Sequence, residues 1–487
     1  MSFNLKLVKD TFNYGAGLVL PKVIGFLLIP LYTIYLSPAE FGIVDLAVTT
    51  GAFMMVVMRL SVPGAITRFY IEYKGGLPER DYITSIYWIV FGLSIFFSLF
   101  FLAVGYGWLD VLVPGLPYAP FFLLIVLSSL LGSNSEVQRR LLQARGLSAY
   151  TSKLNVATAL ITILLSVALV VWFELGALGV VLASLFSSVI FFTQAQFYLR
   201  SDLKGTWNPR MARESFNFSI VLLPYHVYGH FSQIVTKSIL SSSASLSAVG
   251  LLAIATKFTQ PLSVLVNALG TAITPHYLEL RSKEDEISKE KLGMLVKRIW
   301  FGGCIFFIGF FIFSDWLLLM ISTDQYAGAG ILMKLLALGF LPQLFYILFG
   351  QELFFRKENK LMLLTNLLGI SFSLLLSWLL VERFEGIGAA ISIIAPAYAS
   401  ALITFFLVLK KIPYNPRFVF FMITFLLCMV FAGVDFTFVS MLDASIVQVL
   451  LKAAELLVFC VLFYLFDNEI KQDINNLAAK FLQKKSR

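Results

Sequence analysis

Charge is scarce in this chain. Asp, Glu, Lys and Arg make up 13% of its 487 residues, about half the share found in a soluble domain. So little charge cannot coat a water-soluble fold of this size. With 59% apolar residues and a mean hydropathy of +0.86, the chain reads as a polytopic membrane protein. Cysteine is rarer still. Cys304, Cys428 and Cys460 all fall inside apolar runs, which excludes a disulfide framework and predicts buried free thiols. No GxxxxGK[ST], HExxH or GxSxG motif occurs. Coupling to ATP on this chain and the common hydrolytic sites are therefore excluded, and neither an enzyme nor a resident cofactor is expected. The net charge of +9 is no nucleic-acid signal, because the basic residues sit at the ends of apolar runs and not in one patch. The start, "MSFNLKLVKD", lacks the short apolar core and small-residue cleavage site of a signal peptide.

Long apolar runs are what the sequence has in quantity. A helical span needs about 20 apolar residues. Fourteen are expected, at 12–36, 42–62, 82–109, 118–138, 154–172, 177–198, 215–238, 247–272, 299–321, 329–350, 361–381, 387–409, 418–433 and 446–466. Loop charge tests the count. With the N-terminus in the cytoplasm, the termini and the connections on that side hold 30 of the 37 Lys and Arg. The opposite side holds one, Arg383, and the spans hold six: Lys22, Arg59, Lys237, Lys257, Lys334 and Lys452. Both termini are thus expected in the cytoplasm. In the tail, Ile470, Ile474, Leu477 and Phe481 share one helical face, so 467–487 reads as an amphipathic helix on the membrane surface.

The chain also repeats itself. "AITRFYIE" (65–72) recurs as "AITPHYLE" (272–279). At an offset of 211, Arg145 matches Arg356, Asn155 matches Asn366, and Ser166 matches Ser377. "VLP" (19–21) lies opposite "LLP" (222–224). The first six spans are thus expected to be duplicated in spans 7–12, and because six is even the two halves enter the membrane from the same side and relate by a pseudo-twofold axis along its normal. The expected architecture is all-α: an N-terminal lobe (1–200, spans 1–6), a cytoplasmic linker (201–214), a C-terminal lobe (215–411, spans 7–12), spans 13–14 (412–466) and the tail (467–487). Spans 1 and 7 both carry prolines and glycines, among them Pro21, Gly25 and Pro30 against Pro224 and Gly229. Paired interruptions of this kind mark backbone that bends around a cavity between lobes.

"PLYTIYLSPAEFGIVDLAVT" (30–49) closely resembles the span 1–2 junction of bacterial polysaccharide flippases, members of the multidrug/oligosaccharidyl-lipid/polysaccharide exporter superfamily. "LLQARGLSAYTSKLNV" (141–156) resembles the turn after span 4 in the same proteins. The resemblance implies a two-lobe helical bundle in the bacterial inner membrane that works by alternating access. Its substrate would be a polyprenyl-diphosphate-linked oligosaccharide, as for the O-antigen type flippases of lipopolysaccharide synthesis. The lipid II flippases are a related branch and stay open as an alternative, as does, more remotely, an ion-coupled multidrug antiporter. Polysaccharide polymerase and glycosyltransferases are the protein partners it suggests, with the transporter itself a monomer. A coupling ion, Na+ or H+, is left undecided. The lipid II branch carries cavity cations in spans 1, 2 and 8, and an acid in span 2. By span and depth these correspond to Lys22, Arg59, Lys257 and Asp45.

Physical chemistry weighs these charges separately. A Lys or Arg at mid-bilayer costs about 2.5–3.5 kcal/mol, so it faces protein or a wet cavity unless its side chain reaches the headgroups. Lys22 and Lys257 each lie ten residues into a span, too deep for that escape, and are expected to be substrate-binding cations. Arg59 lies near a span end unless the helix runs on through "SVPGAITRFYIE". Asp45 and His226 are candidates for gating or ion coupling. Arg68 is a candidate at the cytoplasmic mouth. Lys237 and Lys334, near span ends, are expected to snorkel; Arg139, Arg140 and Arg145 to set orientation; Glu352 with Arg356, and Lys452 with Glu455, to form pairs within one helix.

Overall fold

The computed structural model describes residues 15, 17, 19–283, 285–409, 411–412 and 418–435. These residues are helical almost throughout, and none forms a strand. In chain order the helices are α1 (Val19–Tyr35), α2 (Pro38–Arg59), α3 (Gly64–Tyr73), α4 (Gly76–Leu112), α5 (Leu123–Ala144), α6 (Ser148–Val167), α7 (Gly176–Leu199) and α8 (Pro209–Ser243). They continue with α9 (Leu246–Ser282), α10 (Glu286–Ile321), α11 (Ala329–Ala337), α12 (Phe340–Phe355), α13 (Asn359–Val408) and α14 (Phe418–Val434).

Among the described residues, nine helical segments are long and apolar enough to cross a membrane. Two shorter apolar helices, Val19–Tyr35 and Phe418–Val434, fall where spans 1 and 13 are expected. Helix α8, at 35 residues, occupies expected span 7 but is too polar to register by hydropathy. Helix α13 covers expected spans 11 and 12 and kinks between them at Glu385, which has a positive φ of 47°. The fourteenth expected span, the pair Lys452–Glu455, Cys460 and the amphipathic tail lie outside the described residues.

Local chemistry explains where these helices start and stop. The "SPAE" of the first family-like stretch is a capping box. Glu40 donates its backbone N–H to Ser37 Oγ, and Glu40 Oε2 accepts from the Ser37 backbone N–H at 3.0 Å. Pro38 takes the first helical turn, where no N–H is needed. Helix α2 ends on two left-handed residues, Leu60 (φ 45°) and Ser61 (φ 59°), followed by Pro63. Helix α8 opens on Asn208, whose side chain accepts from the N–H groups of Arg210 and Met211. It then runs through Pro224 without a break, so the interruption expected in span 7 is absent. One lost N–H bond does not end a helix whose other turns are intact. In span 1, Leu28 ahead of Pro30 is a turn residue between two helical stretches and keeps helical dihedrals (φ −89°, ψ −9°).

Two compact units make up the described chain. The first holds residues up to Pro261, Ile321–Met333 and Leu367–Pro396; the second holds Leu262–Met320, Lys334–Asn366 and the chain from Ala397. Within the first, Tyr70, Tyr82, Ile86, Tyr87, Val137 and Leu141 form a buried cluster. Within the second, Trp300, Phe307, Phe311, Phe340, Phe349 and Phe421 do the same, with Trp300 Nε1 donating to Thr424 Oγ1 at 2.8 Å. Cys304 and Cys428 are free and buried there.

Residues paired by the internal repeat play parallel parts. In the first unit Arg145 donates to the hydroxyls of Tyr70 and Tyr198 (both 3.3 Å) and pairs with Glu79 (3.0 Å) and Asp202 (2.6 Å). In the second, Arg356 and Arg281 pair with the fully buried Glu352 at 2.7 and 3.1 Å, and Tyr277 donates to it at 3.0 Å. The repeat partners Tyr70/Tyr277 and Arg145/Arg356 thus tie corresponding helix ends. Arg145 does more than set orientation. Burial works against its charge, but Asp202, the two tyrosines and Glu79 outweigh that and raise its pKa. Ser166 and Ser377 also match: the first bonds Tyr32 Oη at 2.8 Å, the second Thr236 Oγ1 at 2.6 Å.

Candidate functional site: a cationic interior in the first unit

Lys237 and Asp45 meet inside the first unit. Their side chains lie 2.7 Å apart at 10% and 16% exposure, and Lys237 Nζ also donates to Thr49 Oγ1 at 2.7 Å. Asp45 and Thr49 stand one turn apart on α2, and Phe41 stands one turn before them, so the three form a stripe on one face. Across this stripe lies Lys257 of α9, half-buried, its Nζ 5.8 Å from the Phe41 ring centroid. Lys257 has electrostatic contact with both Asp45 and Lys237. Lys237 thus pairs directly with Asp45, and Lys257 stands within electrostatic range of both, in a partly dry interior. The cluster carries one uncompensated positive charge, which a low dielectric makes attractive to an anion.

The neighbourhood above it is closed by backbone contact. Gly250 of α9 approaches α2 so closely that a Cβ there would stand 1.8 Å from the Pro38 carbonyl oxygen. A Cβ on Gly42 would stand 2.1 Å from that of Leu246. Only glycine permits this approach. Around the same end, Tyr326 Oη donates to the Leu36 carbonyl (2.9 Å), Thr323 to that of Thr33 (2.9 Å) and Ser241 to that of Pro114 (2.7 Å). Residues of the second repeat thus seal against the first at this end of the unit.

The remaining expected site residues separate by depth. At 1.5 Å per residue from this sealed end, Lys237 and Asp45 lie at about 10 Å, Lys257 at about 16 Å, Lys22 at about 20 Å and Arg59 at about 31 Å. Lys22 is exposed and, among the described residues, has no ion pair or hydrogen bond. It sits one turn from Phe26, whose ring packs edge-on against Phe258 at 5.7 Å. Arg59 is the last residue of α2, directly before the left-handed pair Leu60–Ser61, and the helical path resumes in α3 as far as Tyr73. Glu136 of α5 faces it at 3.8 Å. His226 is exposed and its Nδ1 stands 3.2 Å from Ser61 Oγ at the left-handed break. Arg68 is exposed on α3, paired with Glu72 at 2.5 Å.

Two lysines expected to snorkel do not. Lys237 is buried against Asp45, as above, and Lys334 is 3% exposed. In the second unit Lys334 Nζ pairs with Asp315 at 2.6 Å and Asp435 at 2.9 Å. An inward side chain with a carboxylate in reach avoids both the lipid and the long stretch to the headgroups. Sequence reasoning missed Lys237 because its partner lies on a helix far away in the chain. The one available signal was that Asp45 and Lys237 both fall near the same predicted end of their spans.

The sequence profile of the family described as polysaccharide biosynthesis protein matches residues 7–281, more than half of the chain. The chain belongs to that family. Its fold is shared with several solved membrane-protein structures. It is similar to the lipid II flippase MurJ in an inward closed conformation, with a TM-score of 0.71, 13% identity, and coverage of 94% of this chain and 98% of that one. An inward-facing multidrug resistance MATE family transporter aligns with a TM-score of 0.66 at 13% identity, over 82% of this chain and 97% of the other. An outward-facing one gives 0.54 at 11% identity, over 84% and 95%. No curated protein matches the chain in sequence.

Proposed function

We propose that this transporter is a flippase of the bacterial inner membrane, moving undecaprenyl-diphosphate-linked oligosaccharide repeat units from the cytoplasmic to the outer leaflet. The observation that carries the reading is the half-buried cluster of Lys237, Lys257 and Asp45, positive by one charge among the described residues, in a chain of the polysaccharide biosynthesis family. A diphosphate supplies the missing negative charge. The sugars take the wet interior, and the polyprenyl tail stays in lipid. Lys257 and Lys22 are the cations that hold the head, Arg59 receives it, and Asp45 takes part in gating through Lys237. Arg68 stands at the cytoplasmic mouth, and the loop charge supports cytoplasmic termini. Alternating access by two six-helix lobes fits the parallel repeat. A site rich in lysine disfavours a cationic drug as cargo. Deletion of the gene followed by mass spectrometry of lipid-linked sugars tests the reading: an undecaprenyl-diphosphate oligosaccharide should accumulate. Accumulation of lipid II would move the assignment to that branch, and no accumulating lipid would refute it.

A further inference from the structure

The cations of the first unit do not form one site. Arg59 and Asp45 both lie on the unbroken helix α2, fourteen residues apart, which is about 21 Å along the axis. One diphosphate cannot touch both. Around Arg59, moreover, a second cluster repeats the composition of the first. Glu136, 17% exposed, pairs with Arg140 at 2.8 Å and with Arg59 at 3.8 Å. Arg139, one residue before Arg140 on α5, is within electrostatic range of Arg59 and, among the described residues, donates to Thr158 Oγ1 at 3.4 Å. Here two guanidinium groups, those of Arg59 and Arg140, share one carboxylate, and a third, that of Arg139, stands within range of Arg59. The cluster is positive by two, and its groups are half-buried, where water screens them incompletely. Guanidinium forks also suit phosphate oxygens better than ammonium groups do.

We propose that Arg59, Arg139, Arg140 and Glu136 form a second phosphate-binding station, distinct from the one at Lys237, Lys257 and Asp45, with Lys22 as the step between them. This rests on the diphosphate reading of the first station. Each station is a carboxylate holding its cations in place while leaving positive charge over. A phosphate group binds by sharing those cations, not by displacing the carboxylate. Guanidinium groups catch it at one end. The single excess ammonium at the other holds it less strongly, so it can leave. Lys22, at an intermediate depth and unpaired among the described residues, divides the gap into steps of about 10 and 11 Å along the helices.

Titration calorimetry of the purified full-length protein with inorganic diphosphate at low salt tests this. Two equivalents should bind. Arg59→Gln should weaken one of them about tenfold or more and leave the other; Lys257→Gln should do the reverse. Glu136→Gln should tighten the station that Arg59→Gln weakens, a gain that a misfolded protein cannot give. One equivalent, lost in Lys257→Gln and unmoved by Arg59→Gln, would overturn the second station while sparing the first. A single equivalent lost in both variants would overturn the separation of the two. Absence of any binding would sink the diphosphate reading itself.

Discussion

Replacing Asp45 by Asn should destabilise the protein more than replacing its partner Lys237 by Met. At 2.7 Å and an effective dielectric near 20, the pair attracts with roughly 6 kcal/mol. Desolvation of both ions takes back much of that, and removing one partner of such a pair typically costs about 3–5 kcal/mol. The two removals differ in what they leave. Asp45→Asn leaves Lys237 and Lys257 facing each other without a counter-ion, which belongs at the upper end. Lys237→Met leaves Asp45 within range of Lys257, which still neutralises it, and belongs at the lower end. The double variant should be less damaged than the sum by about 2 kcal/mol, because the second change removes a charge already orphaned. Unfolding in mixed SDS micelles, followed by tryptophan fluorescence, gives all three values. Additivity within about 0.5 kcal/mol, or equal costs for the two single changes, would refute the shared-carboxylate arrangement.

Three further outcomes follow from the same structure. Lys22→Ala and Lys257→Ala should each lower surface polysaccharide at least about tenfold with membrane abundance unchanged, and Lys22→Glu should be worse than Lys22→Ala; immunoblots of polysaccharide and transporter decide this. Glu352→Gln should cost about 3–5 kcal/mol in the same micelle unfolding, since Arg281 and Arg356 then lose their buried carboxylate, whereas Arg68→Ala should stay below about 1 kcal/mol. Gly250→Ala must push α2 and α9 apart and should cost about 1–3 kcal/mol, while Gly302→Ala, where a Cβ meets nothing within 4 Å, should cost nothing.

Much of this molecule is legible in its sequence because lipid imposes a simple rule: apolar runs become helices. The run lengths and the repeat follow from that rule, and the repeat partners Tyr70/Tyr277 and Arg145/Arg356 do sit in parallel roles. The start of α2 was legible as well, since "SPAE" is a local motif. What the sequence hides is tertiary pairing. Lys237 and Lys334 looked free because their carboxylates, Asp45, Asp315 and Asp435, come from other helices. Prolines mislead in the opposite sense: Pro224 suggested a break, yet α8 absorbs it, while the sharper events are the left-handed Leu60–Ser61 and Glu385, neither of them glycine. The resemblance put Lys22, Arg59 and Lys257 in one cavity, whereas the count of turns along α2 sets Arg59 well apart from Asp45 and its lysines.

The central claim is that buried excess lysine charge carries a lipid diphosphate across. Proteoliposomes with a fluorescent undecaprenyl-diphosphate oligosaccharide in the inner leaflet measure it directly. The wild-type protein should make the label accessible to an external quencher, and Lys257→Gln should slow this at least about tenfold at equal reconstitution. Equal rates with the variant, or no transfer by the wild type, would contradict the account.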